Sequence, residues 1–497
     1  MSVRSSGFLV VAVASLASIS ASAQQHAASG PHLVAPMMGS RVTSHRPTLH
    51  WTGGDGEVDL CRDHACTDNI ATIAGHGGAA QPTADLTAGR VYWRVRAGGA
   101  ASPTFSFEVS AHGAPVDSSF GSTFDANGDG FADAIVRGAS TVSIFNGGTA
   151  GLSSRPAVTI NAPPEAVGFG YDVESAGDVN GDGFSDLLVG TYSSDHAYLY
   201  LGSANGPAIR PSAILSGPAA SNFGLSVSSA GDVNADGYGD VIIGAPVAGR
   251  AFLYAGSAAG LSTTPMVTLT PPGSPSRFGY SVTSVGDTNG DGHGDVAVGT
   301  LSNELFVFNG GSTGVASAPT LHIESAAADF GSAIASAGDT NGDGYADLVV
   351  GATGSSAAYV FPGSAQGLVR ENPATIFGAA NSLTAPTGSG FSVAGIGDAN
   401  NDGFGDIVIG NGSNGVAVYM GSATGITVAA PAATLTIPQA GEYSLQVCDS
   451  GDVNGDGFAD VLVSTHDNGT TFAFLGAAGG VSTTVASTLR GHAASAQ

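Results

Sequence analysis

The sequence predicts an all-β protein, a seven-bladed β-propeller of four-stranded blades preceded by a small β-sandwich. Glycine accounts for 76 of the 497 residues, roughly twice its average share, yet 42% of the chain is hydrophobic. An acidic segment recurs seven times after residue 115, and a short apolar run follows each copy. Many short strands joined by glycine turns are consistent with this composition, whereas long helices are not.

The charge of the chain favours a cation as its partner. There are 14 basic residues, all of them arginine, against 40 acidic ones, and the formal net charge is −26. A chain this acidic repels phosphate backbones, so we expect no nucleic acid partner. The clustered carboxylates need positive counter-charge, which bound metal ions would supply.

The first residues predict export. Arg4 is followed by an apolar stretch from Gly7 to Ile19, and Ala21-Ser22-Ala23 has the small residues of a cleavage site. The apolar stretch is too short to favour a transmembrane helix of about 20 residues, although a noncleaved anchor is the alternative. With no second candidate span in the sequence, we expect a secreted or cell-surface protein without a membrane span.

The three cysteines predict one disulfide. In an exported protein, Cys61 and Cys66 would pair and close a small loop, and two free thiols are the alternative. Cys448 lies within a predicted strand, where we expect it to be a small buried hydrophobic residue.

The acidic segment, typified by Gly177-Asp-Val-Asn-Gly-Asp-Gly-Phe-Ser-Asp186, defines a repeated unit. Its copies are named loops 1 to 7, and their first aspartates are separated by 53, 54, 55, 52, 59 and 54 residues. In the third unit, the alternating stretch 223–231 precedes the loop, and the apolar run 240–244 follows it as a buried strand. The runs 251–254 and 266–270 complete four strands. Such a unit cannot bury both sheet faces alone, so the sheets should close into a ring.

These units resemble the FG-GAP repeats of the integrin alpha-subunit propeller, over about residues 116 to 490. A Phe-Gly pair stands nine residues before the first aspartate in four units, and Gly244-Ala-Pro246 follows the buried strand of the third. The four pairs begin at Phe169, Phe223, Phe278 and Phe330. Unit one lacks the pair, unit six has Ser389-Gly390 there, and unit seven has Tyr443-Ser444. The resemblance implies calcium in the loops and ligand binding on the opposite face.

The region before the repeats predicts a different domain. It contains both tryptophans, Trp51 and Trp93, and short alternating runs that suggest a small β-sandwich. It resembles the immunoglobulin-like or fibronectin type III-like modules of exported bacterial proteins. The predicted organisation is a signal peptide (1–23), a flexible leader (24–30), the sandwich (31–110), a linker (111–116), the propeller (117–490) and a tail (491–497).

Each loop presents oxygen donors with the spacing that calcium needs. Side-chain oxygens stand at positions 1, 3, 5 and 9, the carbonyl of position 7 can add another, and a glycine at position 6 permits the sharp turn. Magnesium, which demands tight octahedral geometry, is less suitable. The predicted calcium ligands are Asp125, Asn127, Asp129, Phe131 and Asp133 in loop 1; Asp178, Asn180, Asp182, Phe184 and Asp186 in loop 2; Asp232, Asn234, Asp236, Tyr238 and Asp240 in loop 3; Asp287, Asn289, Asp291, His293 and Asp295 in loop 4; Asp339, Asn341, Asp343, Tyr345 and Asp347 in loop 5; Asp398, Asn400, Asp402, Phe404 and Asp406 in loop 6; and Asp452, Asn454, Asp456, Phe458 and Asp460 in loop 7.

Two other interpretations of the loops compete with calcium binding of this kind. An EF-hand needs a bidentate glutamate at position 12 and flanking helices, but position 12 is Val or Ile within a predicted strand in every loop. A set of solvated Asx-turns is the remaining alternative. Three aspartates within nine residues repel one another, however, which favours a bound ion. Seven calcium ions would change the formal charge from −26 to −12, since they add +14.

The sequence favours a binding or adhesion module over an enzyme. Gly310-Gly-Ser-Thr-Gly314 matches a nucleophile-elbow pattern but lies at a turn that other units share, and the 12 histidines form no metal-protease motif. We expect a monomer that binds an extracellular protein or glycan. The alternatives are a secreted hydrolase or lyase acting on surface polysaccharide or phospholipid, and a structural cell-surface protein. The long connector 378–389 between units five and six is the predicted ligand loop, and a tolerated insertion is its alternative.

Overall fold

The computed structural model describes residues 31–114, 116, 119–120, 123–273, 276–371, 373–377, 392–410, 415–438, 445–465 and 469–491. The predicted signal peptide, the leader, the connector 378–389 and the pairs Ser389-Gly390 and Tyr443-Ser444 lie outside these residues. Apart from a single 3₁₀ turn at Thr353–Ser355, the regular structure of the described residues is entirely β. The prediction of an all-β protein is therefore confirmed.

The strands between residues 31 and 120 form a unit that we call the N-terminal module. They build a three-stranded sheet in the order β1-β3-β6 and a larger sheet in the order β10-β2-β9-β7-β4-β5, with β8 paired to β7. The strands are β1 (Leu33–Ala35), β2 (Ser40–Val42), β3 (Leu49–Trp51), β4 (Gly56–Cys61), β5 (Asn69–Gly75), β6 (Ala79–Ala80), β7 (Gly89–Ala97), β8 (Ala100–Ala101), β9 (Phe105–Val109) and β10 (Ser119–Phe120).

The two sheets of the module share one hydrophobic core. Trp51 and Leu33 from the smaller sheet pack together with Trp93, Phe105 and Phe107 from the larger one, and all five are buried. The short alternating runs that suggested strands in the sequence therefore supply strands of this core. Cys61 and Cys66 form the predicted disulfide, with their Cα atoms 5.1 Å apart.

Seven successive antiparallel sheets, called repeat sheets 1 to 7, follow the module. Neighbouring strands along the chain pair within each sheet, as the repeated unit predicts. Sheet 1 contains β11 (Ala134–Arg137), β12 (Thr141–Phe145) and β13 (Val158–Asn161); sheet 2, β14 (Phe169–Gly177), β15 (Asp186–Thr191), β16 (His196–Tyr200) and β17 (Ala213–Ser216); sheet 3, β18 (Val227–Gly231), β19 (Asp240–Ala245), β20 (Arg250–Tyr254) and β21 (Val267–Leu269); sheet 4, β22 (Ser281–Gly286), β23 (Asp295–Gly299), β24 (Glu304–Phe308) and β25 (Leu321–Glu324); sheet 5, β26 (Phe330–Gly338), β27 (Asp347–Ala352), β28 (Ala357–Phe361) and β29 (Ala374–Phe377); sheet 6, β30 (Ser392–Gly397), β31 (Asp406–Gly410), β32 (Gly415–Tyr419) and β33 (Ala433–Thr436); and sheet 7, β34 (Leu445–Asp449), β35 (Val461–Thr465), β36 (Thr470–Phe474) and β37 (Ser487–Arg490).

Sheet 1 departs from the predicted four strands. Six repeat sheets have four strands, but sheet 1 has three among the described residues. The segment that would supply its first strand contributes Ser119–Phe120 to the module instead, where these residues pair with Val42 and Arg41 of β2. The predicted boundary, with a linker at 111–116 and the propeller from 117, stays a prediction. Unit one lacks the Phe-Gly pair, but so do units six and seven, whose sheets keep four strands.

Hydrophobic cores lie between neighbouring repeat sheets and connect the last sheet to the first. Ala134 and Phe145 of sheet 1 pack in one cluster with Leu462 and Ala473 of sheet 7. The other clusters join sheets 1 and 2, 2 and 3, 3 and 4, 4 and 5, 5 and 6, and 6 and 7. Each repeat thus buries its sheet faces against its neighbours, which is consistent with a β-propeller.

The Phe-Gly phenylalanines are central to these cores. All four are buried, and each ring packs at a steep angle against two aromatic rings of the third strand of its own sheet. Phe278, for example, lies 5.4 Å from Phe306 and 6.3 Å from Phe308 between ring centroids. The phenylalanine of the motif is therefore a packing residue at the interface between sheets.

Two further features bear on the predictions. Cys448 lies in β34 as expected, but it is exposed and lines a central cavity, so its predicted burial is wrong. At Cys448 the first strand of sheet 7 borders the cavity and not a packed sheet interface. Within the described ranges, the fold includes no helix with the length and apolar character needed to cross a membrane.

Candidate metal-binding loops

Each acidic loop is folded around the carboxylate at position 1. In loop 2, Oδ1 of Asp178 accepts hydrogen bonds from the amides of Gly181 and Asp182 at 2.7 and 3.1 Å, and Oδ2 accepts one from Gly183 at 2.7 Å. Gly183 has φ of +90°, in the left-handed region that favours glycine. Loops 1, 3, 4, 5, 6 and 7 repeat the bond from the position-6 amide.

Position 4 is a second left-handed position, and the sequence interpretation missed it. Five loops have glycine there, while Ala235 in loop 3 and Asn401 in loop 6 adopt φ of +56° and +57°. Both turns curl the backbone around position 1, so that side chains of positions 3 and 5 meet. In loop 2, Nδ2 of Asn180 donates to Oδ2 of Asp182 at 2.9 Å, and the same pair forms in every loop.

The aspartate at position 9 ties the loop to a turn further along the chain. In loop 2, Oδ2 of Asp186 accepts from the amide of Val179 at 2.9 Å, and Oδ1 accepts from Gly202 at 2.8 Å. Gly202 belongs to the turn after the third strand. The equivalent bonds occur in all seven units, and their glycine donors are Gly147, Gly202, Gly256, Gly310, Gly363, Gly421 and Gly476. The same turn contains Gly310-Gly-Ser-Thr-Gly314, the sequence that matched the nucleophile-elbow pattern. This turn therefore supports the loop.

Burial makes these carboxylates costly to ionise in the absence of a cation. Desolvation is the largest cause that raises the pKa of Asp178 to about 7 and of Asp347 to about 8, and neighbouring loop aspartates add to it. The pKa values of Asp133 and Asp406 also rise to about 8, mainly through burial. Two buried acids in one loop need compensation from positive charge.

Protein side chains supply part of that charge in loops 1 and 6, where burial raises the pKa of Asp125 and of Asp398 but Arg90 and Arg41, respectively, act to lower it. Among the described residues, no arginine or histidine forms an ion pair with a loop aspartate, and the chain has no lysine. The donors at positions 1, 3, 5 and 9 are all oxygens, which suits a hard divalent cation. The residues present therefore fit calcium. Their individual roles as ligands, including the carbonyl at position 7, stay predictions.

The seven loops are joined by backbone hydrogen bonds into a closed circle. The amide of position 8 in each loop donates to the carbonyl of position 1 in the preceding loop, at 2.7 to 3.1 Å. The circle closes where Ala132 of loop 1 donates to Asp452 of loop 7 at 3.0 Å. A metal ion that fixes one position-1 residue therefore also fixes an acceptor for the next loop.

A cavity of about 1490 Å³ lies inside this circle. Residues of all seven repeat sheets line it, and Met37 and Met38 of the N-terminal module line it as well. At the strand ends distant from the loops, the guanidinium of Arg137 lies 5.9 Å from the ring centroid of Tyr171 and donates to Oε1 of Gln446 at 3.1 Å. The hydrogen bond from Arg137 to Gln446 joins sheet 1 to sheet 7, where the series of sheets closes on itself.

Outside the loops, the described residues include one other group that could hold a metal. Glu304, His322 and Glu324 lie on β24 and β25, with Nε2 of His322 2.9 Å from Glu304 and 4.0 Å from Glu324. The side chain of Glu324 is 77% exposed, and His322 stacks on Phe306. We interpret this group as a hydrogen-bonded cluster on the third and fourth strands of sheet 4.

Comparison with known proteins confirms the resemblance seen in the sequence. The FG-GAP-like repeat family matches residues 178–243, 287–350 and 398–463. Integrin alpha-5 of Xenopus laevis is 34% identical over 220 residues, covering 39% of this chain and 21% of the integrin. Integrin alpha-6 of Homo sapiens is 37% identical over 157 residues, covering 29% of this chain and 13% of the integrin. The chain thus carries FG-GAP repeats similar to those of integrin alpha subunits, and it matches a small part of their length.

Among solved structures, the crystal structure of BBS1N in complex with ARL6DN superposes with a TM-score of 0.42 at 12% identity. The superposition covers 72% of this chain and 90% of that chain.

Proposed function

We propose that this chain is an exported, calcium-binding, seven-bladed β-propeller that acts as a binding or adhesion module for an extracellular protein or glycan. Repeat sheets 1 to 7 are its blades, and the N-terminal module is a small β-sandwich of the immunoglobulin or fibronectin type III kind. The observation that carries the proposal is the circle of seven linked loops, whose buried carboxylates form no ion pair with a described arginine or histidine. The likeness to integrin alpha subunits supports adhesion as the role.

Loop 3 offers a direct test of calcium stoichiometry. Asp236→Ala removes the position-5 carboxylate, which accepts bonds from Asn234 and from the amide of Tyr238. We expect bound calcium to fall from seven ions per chain to six, with the ring still folded because both neighbouring interfaces persist. Metal analysis after equilibrium dialysis measures this.

The matched control for this variant is Asp195→Ala. Asp195 caps amides of Ala220 and Ser221 on the side of the sheet away from the loops. Removing that carboxylate should leave all seven ions in place. Equal stoichiometry for Asp236→Ala and the parent protein would contradict the ligand assignment.

Exposed apolar side chains support a ligand surface on the face opposite the loops. Tyr192, Val247 and Leu301 occupy the turns between the second and third strands of sheets 2, 3 and 4. They are 50%, 50% and 38% exposed, and Tyr171 lies beside Tyr192 with ring centroids 5.2 Å apart. Exposed apolar residues grouped on loops of a rigid scaffold are typical of interaction sites.

The connector 378–389, which lies outside the described residues, is the predicted ligand loop. Replacing residues 379 to 388 by a short Gly-Ser linker should keep the fold and seven calcium ions but weaken ligand binding. The ligand for this measurement is first identified on an array of glycans and extracellular proteins, which is probed with calcium and with chelator. If the shortened variant binds with unchanged affinity, this connector is not the site, and Tyr192→Ala then tests the neighbouring turns.

A secreted hydrolase or lyase is the second candidate, because Asp172 and Glu174 line the central cavity. Asp172 accepts a hydrogen bond from the amide of Val227 at 2.9 Å and interacts electrostatically with Arg137. Its carboxylate thus joins sheet 2 to sheet 3, which favours a structural role. Turnover of a polysaccharide or phospholipid substrate that Asp172→Asn abolishes, in a variant of unchanged stability, would favour the enzyme.

A further inference from the structure

The N-terminal module covers the face that carries the acidic loops. At five of the seven position-6 glycines, an added Cβ would meet atoms of the module. It would lie 2.9 Å from the carbonyl of Thr104 at Gly183, for example, and 2.7 Å from Val116 at Gly344. The covered glycines are Gly130, Gly183, Gly237, Gly344 and Gly403. These positions combine a left-handed backbone with close packing against another domain.

The contacts between module and loops are specific. Nε2 of His32 lies 3.1 Å from the carbonyl oxygen of Asp236, and its ring stacks on Tyr238 with centroids 4.2 Å apart. On the other side of the circle of loops, His112 stacks on Phe404 with ring centroids 5.3 Å apart. Oγ of Ser110 donates to the carbonyl of Gly403 at 3.3 Å. The module thus contacts loops 3 and 6 in the same way, with a histidine ring stacked on the aromatic ring at position 7.

These contacts use the backbone and the position-7 rings of the loops. The guanidinium of Arg90 likewise donates to the carbonyl of Gly130 in loop 1. Contacts to carbonyls and rings depend on the shape of a loop, and Arg90 also interacts electrostatically with Asp125 and Asp452. In the proposed calcium site, Tyr238 and Phe404 give their carbonyls to the metal while their rings receive the histidines of the module.

We propose that the N-terminal module is a calcium-dependent clamp on the loop face, a role that rests on the proposed calcium binding. Bound metal fixes the loop backbone in the shape that the module contacts. Loss of metal therefore releases the module from the loop face. By linkage, docking raises the calcium affinity of the covered loops by the same factor. In the docked state Met37 and Met38 of the module border the central cavity.

Two position-6 glycines provide a matched pair of variants. Gly237 and Gly292 have φ of +87° and +85°, so alanine strains both backbones equally. At Gly237 the new Cβ would overlap the carbonyl of Leu33 and approach His32, whereas at Gly292 no described atom lies within 4 Å. Gly237→Ala should therefore undock the module, and Gly292→Ala should not.

Hydrogen exchange of the full chain measures docking. In calcium, amides of residues 31–42 and of loop 3 should exchange slowly, and chelator should accelerate them by roughly tenfold or more, within the usual range of coupling between sites. Gly237→Ala should show the fast exchange even in calcium, and Gly292→Ala should match the parent. Slow exchange at β4 and β7 under all conditions would show that the module leaves the face without unfolding.

A second pair of variants avoids backbone strain and keeps the test decisive if Gly237→Ala does not fold. His112→Ala removes a stacking ring from the interface, while His76→Ala removes a histidine whose side chain is 83% exposed. Only the first should accelerate exchange at residues 31–42. A chain that binds no calcium would overturn the proposed function itself. Calcium binding with identical exchange in calcium and chelator would overturn the clamp alone, as would equal effects of Gly237→Ala and Gly292→Ala.

Discussion

Removal of calcium should lower the melting temperature of this protein strongly. A ligand that binds only the folded state stabilises it by mass action, and extracellular calcium modules bind with Kd of about 10⁻⁴ to 10⁻³ M. At about 10 mM calcium, each occupied site then contributes roughly 1.4 to 2.7 kcal/mol. A few such sites already amount to a large part of the folding stability of about 5 to 15 kcal/mol that is typical of native proteins.

The loss should be greater at pH 8 than at pH 5.5. In the metal-free fold, burial raises the pKa of Asp133, Asp347 and Asp406 to about 8, from an ordinary value of 3.8. The metal-free folded state therefore binds more protons than the unfolded chain between these values, so it gains stability as the pH falls and loses it as the pH rises. Calcium binds the deprotonated carboxylates, so its affinity for the loops rises as the pH rises.

Melting curves in millimolar calcium and in excess chelator, recorded at both pH values, check this expectation. The gap between the two curves should be wide at pH 8 and narrow at pH 5.5. Magnesium at the same concentration is the control for a nonspecific ionic effect, and it should restore less stability than calcium. Curves that overlay at pH 8 would contradict a structural role for calcium in the loops.

Much of the repeat architecture could be predicted because each unit carries its own local signals. The apolar run after each loop becomes a buried strand, as at Asp240–Ala245, since alternation and burial are properties of a few consecutive residues. The Phe-Gly pair, the acidic loop and the spacing between copies predicted FG-GAP repeats, and comparison with known proteins confirms them. The number of blades and the calcium ligands stay predictions.

The position of the N-terminal module could not be predicted. His32 meets the backbone of Asp236 across 204 residues of chain, and no local pattern encodes such a pairing. The missing Phe-Gly pair of unit one did not signal a three-stranded sheet, because units six and seven also lack the pair and form four strands. The destination of Ser119–Phe120 depends on an open edge of β2, which only the folded module provides. Cys448 was misplaced for a related reason, because a strand can border a cavity as well as a core.

The phenylalanine of the Phe-Gly pair should be among the most sensitive single positions for stability. Phe278 is fully buried in the core shared by sheets 3 and 4, where it contacts the rings of Phe306 and Phe308. Truncation to alanine removes this buried area and leaves a cavity, because the strands on both sides are held by their ladders and cannot collapse. Such changes typically cost about 3 to 5 kcal/mol.

We therefore expect Phe278→Ala to lower the free energy of unfolding by about 3 to 5 kcal/mol, measured by denaturant unfolding in saturating calcium. Tyr192→Ala is the matched control, since it also removes an aromatic ring but from a half-exposed position in a turn, where losses of about 1 kcal/mol or less are usual.

The same pair of variants separates packing from function. Phe278→Ala should retain seven calcium ions and its ligand when folded, because its ring is fully buried between sheets 3 and 4. Tyr192→Ala should instead weaken ligand binding with little loss of stability. Equal stability losses in the two variants would show that the Phe-Gly ring is not a principal anchor between neighbouring sheets.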